Sequence, residues 1–373
     1  MKFLDLFSGL GGFRIGLESV GFEPIGWVEF DKFARKSYEA IHDTEGEWTR
    51  EDITDVTNEE FAELEGEVEL ITGGFPCQTF SYAGQRKGFD DTRGTLFLDV
   101  ARAAKHIKPK YLLLENVKGL VTHDKGRTLD TIIQVLNDIG YIVDFEILNS
   151  KYFGVPQNRE RIFIVAVRED LIEPEEWIIE GDNVVSKGKR RIKEYDWART
   201  FNFDYPRGWE LNLKLKDIME PTVEERFYLK KEQRDKLVLN SSGIDSDIKQ
   251  VAKVLIGASR GRNPANSSDR TTGAPTEQRL EINENGTSNT LTSVQKDNYL
   301  VNIGEDVTIR KLTPRECFRL QTFTDEQFQK AQDAGVSNSQ LYKQAGNGVW
   351  VVKMVITVSL FYFLSLIVSF LFW

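Results

Sequence analysis

The chain opens on Lys2 to Phe7, an apolar run that reads as a buried strand, and passes through Ser8-Gly9-Leu10-Gly11-Gly12 into a helical pattern reaching Val20. A strand feeding a helix through a glycine turn is the first unit of a doubly wound parallel sheet, whose ligands bind at the carboxyl ends of the strands. The fold class is therefore α/β, with the site on one edge of the sheet. The third glycine of a dinucleotide fingerprint would fall on Arg14, which disfavours NAD. The next strand, Pro24 to Val28, ends at Glu29-Phe30-Asp31, and so sets a carboxylate roughly 20 positions beyond the glycines, where a ribose would be held. The loop Glu51-Asp52-Ile53 supplies a second acid suited to an adenine amine, with Ile53 and Phe30 to pack on the ring. A solvated surface carboxylate is the plainer reading of Asp52.

Chemistry is concentrated at Gly73-Gly74-Phe75-Pro76-Cys77-Gln78, which follows the β-branched run Val68 to Thr72. The glycines allow close approach of backbone to ligand, and Pro76 fixes φ just before the thiol. Cys77 is thus presented by a stiffened turn at a strand's carboxyl end, whereas a core cysteine needs no such setting. On the same edge, the strand Pro109 to Leu114 delivers Glu115-Asn116-Val117, making Glu115 a candidate acid or, more plainly, a helix cap. The loop Gln157-Asn158-Arg159-Glu160-Arg161 precedes the apolar strand Ile162 to Val167, and its two arginines suit a polar or anionic substrate.

A net charge of −10 argues against a generic polyanion binder, so basic character has to be local. Lys187 to Lys193 and Arg260-Gly261-Arg262-Asn263 are such clusters, fitting phosphate contacts or simply solvated loops. After Arg168 the βα alternation gives way to turns and short strands. Regular structure returns at Val307 to Arg310 and in a helix opened by Thr313-Pro314-Arg315-Glu316, on which Cys317 is a core residue. Gln344-Ala345-Gly346-Asn347-Gly348-Val349 reads as a tight turn opening the last helix. With two cysteines and three histidines, neither a disulfide framework nor a zinc site is expected, and a reducing cytoplasm is the natural setting.

Six stretches, in order, resemble the cytosine-C5 DNA methyltransferase family: Asp5-Leu6-Phe7-Ser8-Gly9-Leu10-Gly11-Gly12, Gly74-Phe75-Pro76-Cys77-Gln78, Glu115-Asn116-Val117, Gln157-x-Arg159-x-Arg161, Arg310-x-Leu312-Thr313-Pro314-Arg315-Glu316 and Gln344-x-Gly346-Asn347. The resemblance implies a Rossmann-like S-adenosylmethionine-dependent methyltransferase sheet with an inserted smaller target-recognition domain. The expected boundaries are 1–175 for the catalytic and cofactor-binding part, 176–305 for target recognition and 306–373 for the return to the catalytic domain. It implies that the Cys77 thiolate adds to C6 of a flipped cytosine, Glu115 relieves charge at N3, Arg161 holds O2 and a phosphate, and Arg159 supports the loop. For S-adenosyl-L-methionine it implies Phe7, Leu10 and Gly12 in the turn, Glu29 on the ribose and Phe30 stacking. Asp52 and Ile53 would then meet adenine, while Leu96, Asn347 and Val349 close the pocket. Thr290-Leu291 resembles a dipeptide of the recognition domain and is expected at the DNA.

The implied substrate is double-stranded DNA, modified by a monomeric enzyme of bacterial or phage type, with a cognate restriction endonuclease as a candidate partner. Two departures stand out: Gly348 follows Asn347 where the family usually has Ser or Ala, and Met354 to Trp373 carries no charge. A stretch of about 20 apolar residues is long enough to cross a bilayer, but a membrane contact by 354–373 is not favoured over a soluble enzyme with an unusual tail. A zinc deaminase is set aside because Phe80 stands where its second cysteine is needed. A tRNA-modifying member of the same family and a catalytically silent DNA-binding regulator remain the rivals.

Overall fold

The computed structural model describes residues 1–76, 96–205, 211, 213–239, 253–266, 275–283, 286–291, 298–303 and 308–348. Cys77, Val349 and the apolar tail lie outside them. The chain divides into two compact units: residues 1–148, 160–207 and 349–373 form one, and residues 149–159 and 208–348 the other. These limits run differently from the boundaries at 175 and 305 expected from the sequence.

In the first unit the described elements follow in the order β1 (Lys2–Leu6), α1 (Gly12–Glu18), β2 (Glu23–Val28), α2 (Lys32–Ile41), β3 (Trp48–Arg50), α3 (Asn58–Ala62), β4 (Leu70–Gly74), α4 (Leu96–Ile107), β5 (Tyr111–Val117), α5 (Arg127–Asp138) and β6 (Tyr141–Asn149). After β7 (Gln157–Asn158), which pairs in the other unit, come β8 (Glu160–Arg168) and α6 (Val184–Lys193). Seven strands form one sheet in the order β3-β2-β1-β4-β5-β8-β6. The first five are parallel, and β8 runs antiparallel to β5. The order reverses between β1 and β4, which opens a crevice at their carboxyl ends.

The sequence explains the layering. Phe3, Leu4 and Leu6 of β1 are fully buried, as a strand covered on both faces requires. Val100, Ala101, Ala104 and Ile107 of α4 and Leu129, Ile132, Ile133 and Leu136 of α5 pack into the same core. Their spacing of three and four residues puts them on one helical face. Burying a Leu or Ile side chain in this way contributes about 1.5–3 kcal/mol. Gly26 admits β3 beside β2, since a Cβ there would meet the Trp48 carbonyl oxygen at 2.2 Å.

The second unit holds α7 (Leu215–Ile218), α8 (Lys231–Leu239), β9 (Lys253–Arg262), β10 (Glu277–Asn283), β11 (Ser288–Asn289), β12 (Tyr299–Ile303), β13 (Thr308–Lys311), α9 (Pro314–Arg319), α10 (Asp325–Asp333) and α11 (Asn338–Asn347). Strands β10-β9-β12-β13 make an antiparallel sheet, and β11 pairs with β7 in parallel. Thr313 caps α9 through a capping box with Glu316, with Pro314 in the first turn as the sequence leads one to expect.

Three local expectations are corrected. Glu115, Asn116 and Val117 lie within β5 rather than after it. Lys187 to Lys193 belongs to helix α6, not to a loop. Gln344 to Asn347 forms the last turn of α11 and Gly348 caps it, so the motif is helical rather than a tight turn, and the helix expected after it lies outside the described residues. Cys317 is buried, as expected, and burial pushes its thiol up, out of the reactive range.

Candidate active site

The turn after β1 is tightly built. Phe7, Gly9 and Gly11 have φ of 55°, 55° and 83°, and Phe7 is the strained one because its side chain has no ease in the left-handed region. A Cβ on Gly11 would run into the His42 ring, whose Nε2 lies 2.9 Å from the Leu10 carbonyl oxygen. Leu10 and Gly12 are buried, so in this turn Leu10 works through its backbone and its packing. Glu29, just past β2, accepts from the Gly9 amide at 2.9 Å with one carboxylate oxygen and from the Asp31 amide at 2.8 Å with the other. Beside it Phe30 is 74% exposed, an unusual position for a phenyl ring. Asp52 uses Oδ1 to cap the turn at Thr54, accepting from its amide at 2.9 Å and its hydroxyl at 2.8 Å. Ile53 is buried, and Leu96 is half-buried at the first residue of α4.

Beneath this turn sits Asp5, fully buried, with Oδ1 accepting from the Thr72 hydroxyl at 2.8 Å and Oδ2 without a hydrogen-bond partner. Burial pushes its carboxyl up to about 7, against the hydrogen bond from Thr72 and the charge of Arg14. The buried hydroxyl of Ser8 also has no partner. Buried polar atoms are seldom left so, and two at the carboxyl end of one strand point to a polar or charged ligand there.

A second cluster lies on β4, β5 and β8. The Asn116 side-chain amide donates to the Phe75 carbonyl at 2.9 Å, and the Phe75 ring packs on Phe97 with centroids 5.4 Å apart. This clamp fixes the chain two residues before Cys77. In the antiparallel register Glu115 faces Phe163 and Val117 faces Arg161, so Glu115 and Arg161 are diagonal neighbours on one face. They form a buried ion pair, Arg161 Nε to Glu115 Oε1, at 2.8 Å. Burial lowers the guanidinium's affinity for its proton, and Glu115 opposes that. In the other unit, buried Arg159 donates to the carbonyls of Leu291 at 3.2 Å, Gly346 at 3.2 Å and Gly348 at 2.8 Å. The Thr290 hydroxyl donates to the Asn158 carbonyl at 2.8 Å, and Leu291 is buried, so this dipeptide braces the loop carrying Arg159. Asn347 is exposed at the end of α11.

A parallel-dominated sheet with an antiparallel strand beyond β5, a glycine turn after β1 and a carboxylate after β2 define a Rossmann-like S-adenosylmethionine-dependent methyltransferase. The profile of the C-5 cytosine-specific DNA methylase family matches residues 1–358. Orphan methyltransferase M.SPRI of Bacillus phage SPR is 36% identical, covering 95% of both chains. Type II methyltransferase M.HhaI of Haemophilus parahaemolyticus is 34% identical over 94% of this chain and 90% of its own. The crystal structure of a Spodoptera frugiperda DNMT2 mutant superposes with a TM-score of 0.59 at 19% identity, covering 96% of this chain and 98% of that one. This chain belongs to the C-5 cytosine-specific DNA methylase family.

The methyl donor of the family is S-adenosylmethionine, and the turn fits it. The donor carries an ammonium and a sulfonium, for which the orphaned Asp5 Oδ2 is a counter-charge. It also has ribose hydroxyls, beside which Glu29 sets a carboxylate just past β2, and an adenine, for which Phe30 offers an exposed face.

Asp5 and Asn116 were visible in the motifs but gave no sign of their roles, because a lone carboxylate and a lone amide declare their partners only in three dimensions. The basic clusters are corrected more sharply. Lys187 and Arg190 pair with Asp182, Lys189 with Asp144, Arg191 with Asp130 and Lys193 with Glu176. Arg262 pairs with Glu281 across β9 and β10. These cations are paired with the protein's own acids. Among the described residues no group of acids, histidines and cysteines could hold a metal.

Proposed function

We propose that this chain transfers a methyl group from S-adenosylmethionine to C5 of a cytosine flipped out of a specific short sequence in duplex DNA. The observation that carries the proposal is the Glu115–Arg161 pair, held on β5 and β8 next to the Asn116–Phe75 clamp from which the chain runs to Cys77. C5 of cytosine is a weak nucleophile, and adding a thiolate at C6 makes it a strong one. Cys77 Sγ bonds to C6, the ring electrons move toward N3 and O2, and Glu115 supplies the proton or hydrogen bond at N3 while Arg161 donates to O2. Bound S-adenosylmethionine supplies the methyl group that C5 attacks. Transfer of the C5 proton to water, with the C5–H electrons expelling the Cys77 thiolate from C6, then restores the aromatic ring.

Arg161 serves two masters in this scheme. In the free enzyme it keeps Glu115 oriented, and when the base enters it shares its donors with O2. Glu29, Phe30, Asp52, Ile53 and Leu96 would hold the nucleoside of the donor, with Phe7, Leu10 and Gly12 shaping the turn, and Asn347 and Val349 are proposed to complete that pocket. Arg159 acts as a brace, tying Thr290-Leu291 to the end of α11. The region from 176 to 305 is proposed to read the DNA sequence through the major groove. Because both orphan and type II enzymes occur among the relatives, a cognate restriction endonuclease is a partner to seek rather than a requirement of the chemistry. Among the described residues no helix is long and apolar enough to cross a membrane. A cytoplasmic monomer is the proposed form.

The test is a duplex carrying 5-fluorocytosine at the methylated position. Fluorine at C5 cannot leave as a cation, so after methyl transfer the elimination is blocked and Cys77 stays bonded to C6. A denaturation-resistant protein–DNA complex that needs S-adenosylmethionine and disappears in Cys77→Ser is expected. Complex formation by the serine variant would refute the thiolate role.

A further inference from the structure

The short helical turn Ile53–Asp55 lies between β3 and α3. Its front is settled by Asp52, whose Oδ1 accepts from both the amide and the hydroxyl of Thr54. Behind it, the side chains of Ile53 and Val56 are buried in one core with Phe97 and Val100 of α4. The backbone carbonyls of such residues need donors as well, and a turn this short supplies few of its own: the Val56 amide reaches the Ile53 carbonyl at 3.3 Å.

Arg102, on α4, supplies the rest. Its Nη2 donates to the Ile53 carbonyl at 2.9 Å, and its Nη1 donates to the Val56 carbonyl and, at 3.4 Å, to Asn58 Oδ1 at the start of α3. The guanidinium is itself fixed from two sides. Asp99, one turn earlier on α4, accepts from Nε at 3.2 Å and from Nη2 at 2.9 Å. The buried Phe61 ring of α3 has its centroid 5.0 Å from the guanidinium carbon. A planar fork seated on an aromatic ring and pinned by a carboxylate aims its donors in one direction. The methyl-transfer chemistry makes no use of this arginine.

We propose that Arg102 is a positioning residue for adenine recognition. Through the Ile53 and Val56 carbonyls it fixes the turn that sets Asp52 against the exocyclic amine, so that the protein prefers adenine to a purine with oxygen at C6. This role rests on the reading that Asp52 and Ile53 meet the adenine. An ionised carboxylate only accepts hydrogen bonds, so it matches the C6 amine of adenine and opposes the C6 carbonyl of hypoxanthine. Such discrimination requires the carboxylate to be held within about 0.5 Å, by partners that are locked themselves. Lysine at this position is a flexible point charge and cannot hold both carbonyls as the stacked fork does.

The test is calorimetric titration of the cofactor-free full chain with S-adenosyl-L-homocysteine and S-inosyl-L-homocysteine, which differ in the base alone. The wild type should bind the adenosyl compound about tenfold or more tightly than the inosyl one, as a hydrogen bond to a charged group allows. Asp52→Asn should lose or invert that preference. Arg102→Met, and Arg102→Lys, which keeps a cation beside Asp99 and so keeps the fold, should each reduce it to about a third or less while still binding the adenosyl compound. No preference in the wild type, or an intact one in Asp52→Asn, would overturn the reading of this turn as the adenine contact and the role of Arg102 with it. A preference lost in Asp52→Asn but unchanged in the Arg102 variants, even if both ligands weaken by the same factor, would overturn the positioning role alone.

Discussion

Glu115 and Arg161 meet because an antiparallel strand follows five parallel ones, and the register sets the two side chains diagonally on one face. If Glu115 is the group that answers charge at N3, Glu115→Gln should lower kcat by about 100-fold or more, the usual value of a positioned acid. Duplex binding should change little, and a comparable loss of binding would mean that the residue only holds the structure together. Asp5 makes a separate prediction. Its carboxyl is raised from the ordinary 3.8 to about 7, so between those values the folded chain holds a proton that the unfolded chain releases. That contribution to stability is full at low pH and is lost as pH rises toward 7. In cofactor-free protein, Asp5→Asn should therefore gain stability relative to wild type as pH climbs through this window, measured by urea unfolding at successive pH values. A difference that does not vary with pH would show that Asp5 is ionised throughout.

At the scale of elements, the proposed chemistry makes the clamp between β5 and the chain leaving β4 the feature to test. Asn116→Ala leaves the Phe75 carbonyl without its donor, at a cost of about 1–3 kcal/mol. The variant should stay folded yet lose more activity than stability, as assays below its melting temperature would reveal; activity equal to wild type would show that the clamp is dispensable. In the second unit the buried pair Arg310–Glu316 joins β13 to α9 through bonds of 2.7 and 2.8 Å. Arg310→Met strands Glu316 and should cost about 3–5 kcal/mol, visible as a shift in the urea midpoint. A shift of less than a fifth of that would mean that other contacts carry the junction. Elements of this kind were only partly legible in the sequence. The strand–turn–helix opening, the capping box at Thr313 and the apolar strands announce themselves because their signals are local. Lys187 to Lys193 misled in part because the partners of Lys189 and Arg191, Asp144 and Asp130, stand 40 or more positions away in sequence. Gln344 to Asn347 misled because glycine and asparagine serve the end of a helix as readily as a turn before one.

Over the whole molecule, the sequence carries the family and the sheet more openly than the division of labour between the two units. The first three motifs lie at strand ends of the first unit, where a doubly wound sheet must place them. Arg159 and the end of α11 belong to the other unit, although Arg159 is only two residues from Arg161. No periodicity marks a boundary that falls between two arginines of one motif. One thiolate and its supporting pair are proposed to put a methyl group on cytosine C5 within a defined DNA sequence. The most direct measurement is transfer of labelled methyl from S-adenosylmethionine to duplex DNA by the wild type and by Cys77→Ser, followed by base-resolution mapping. C5-methylcytosine at one recurring short sequence is expected with the wild type, and none with the variant. Wild-type protein that folds and binds DNA but transfers nothing, or a serine variant that still methylates, would contradict it.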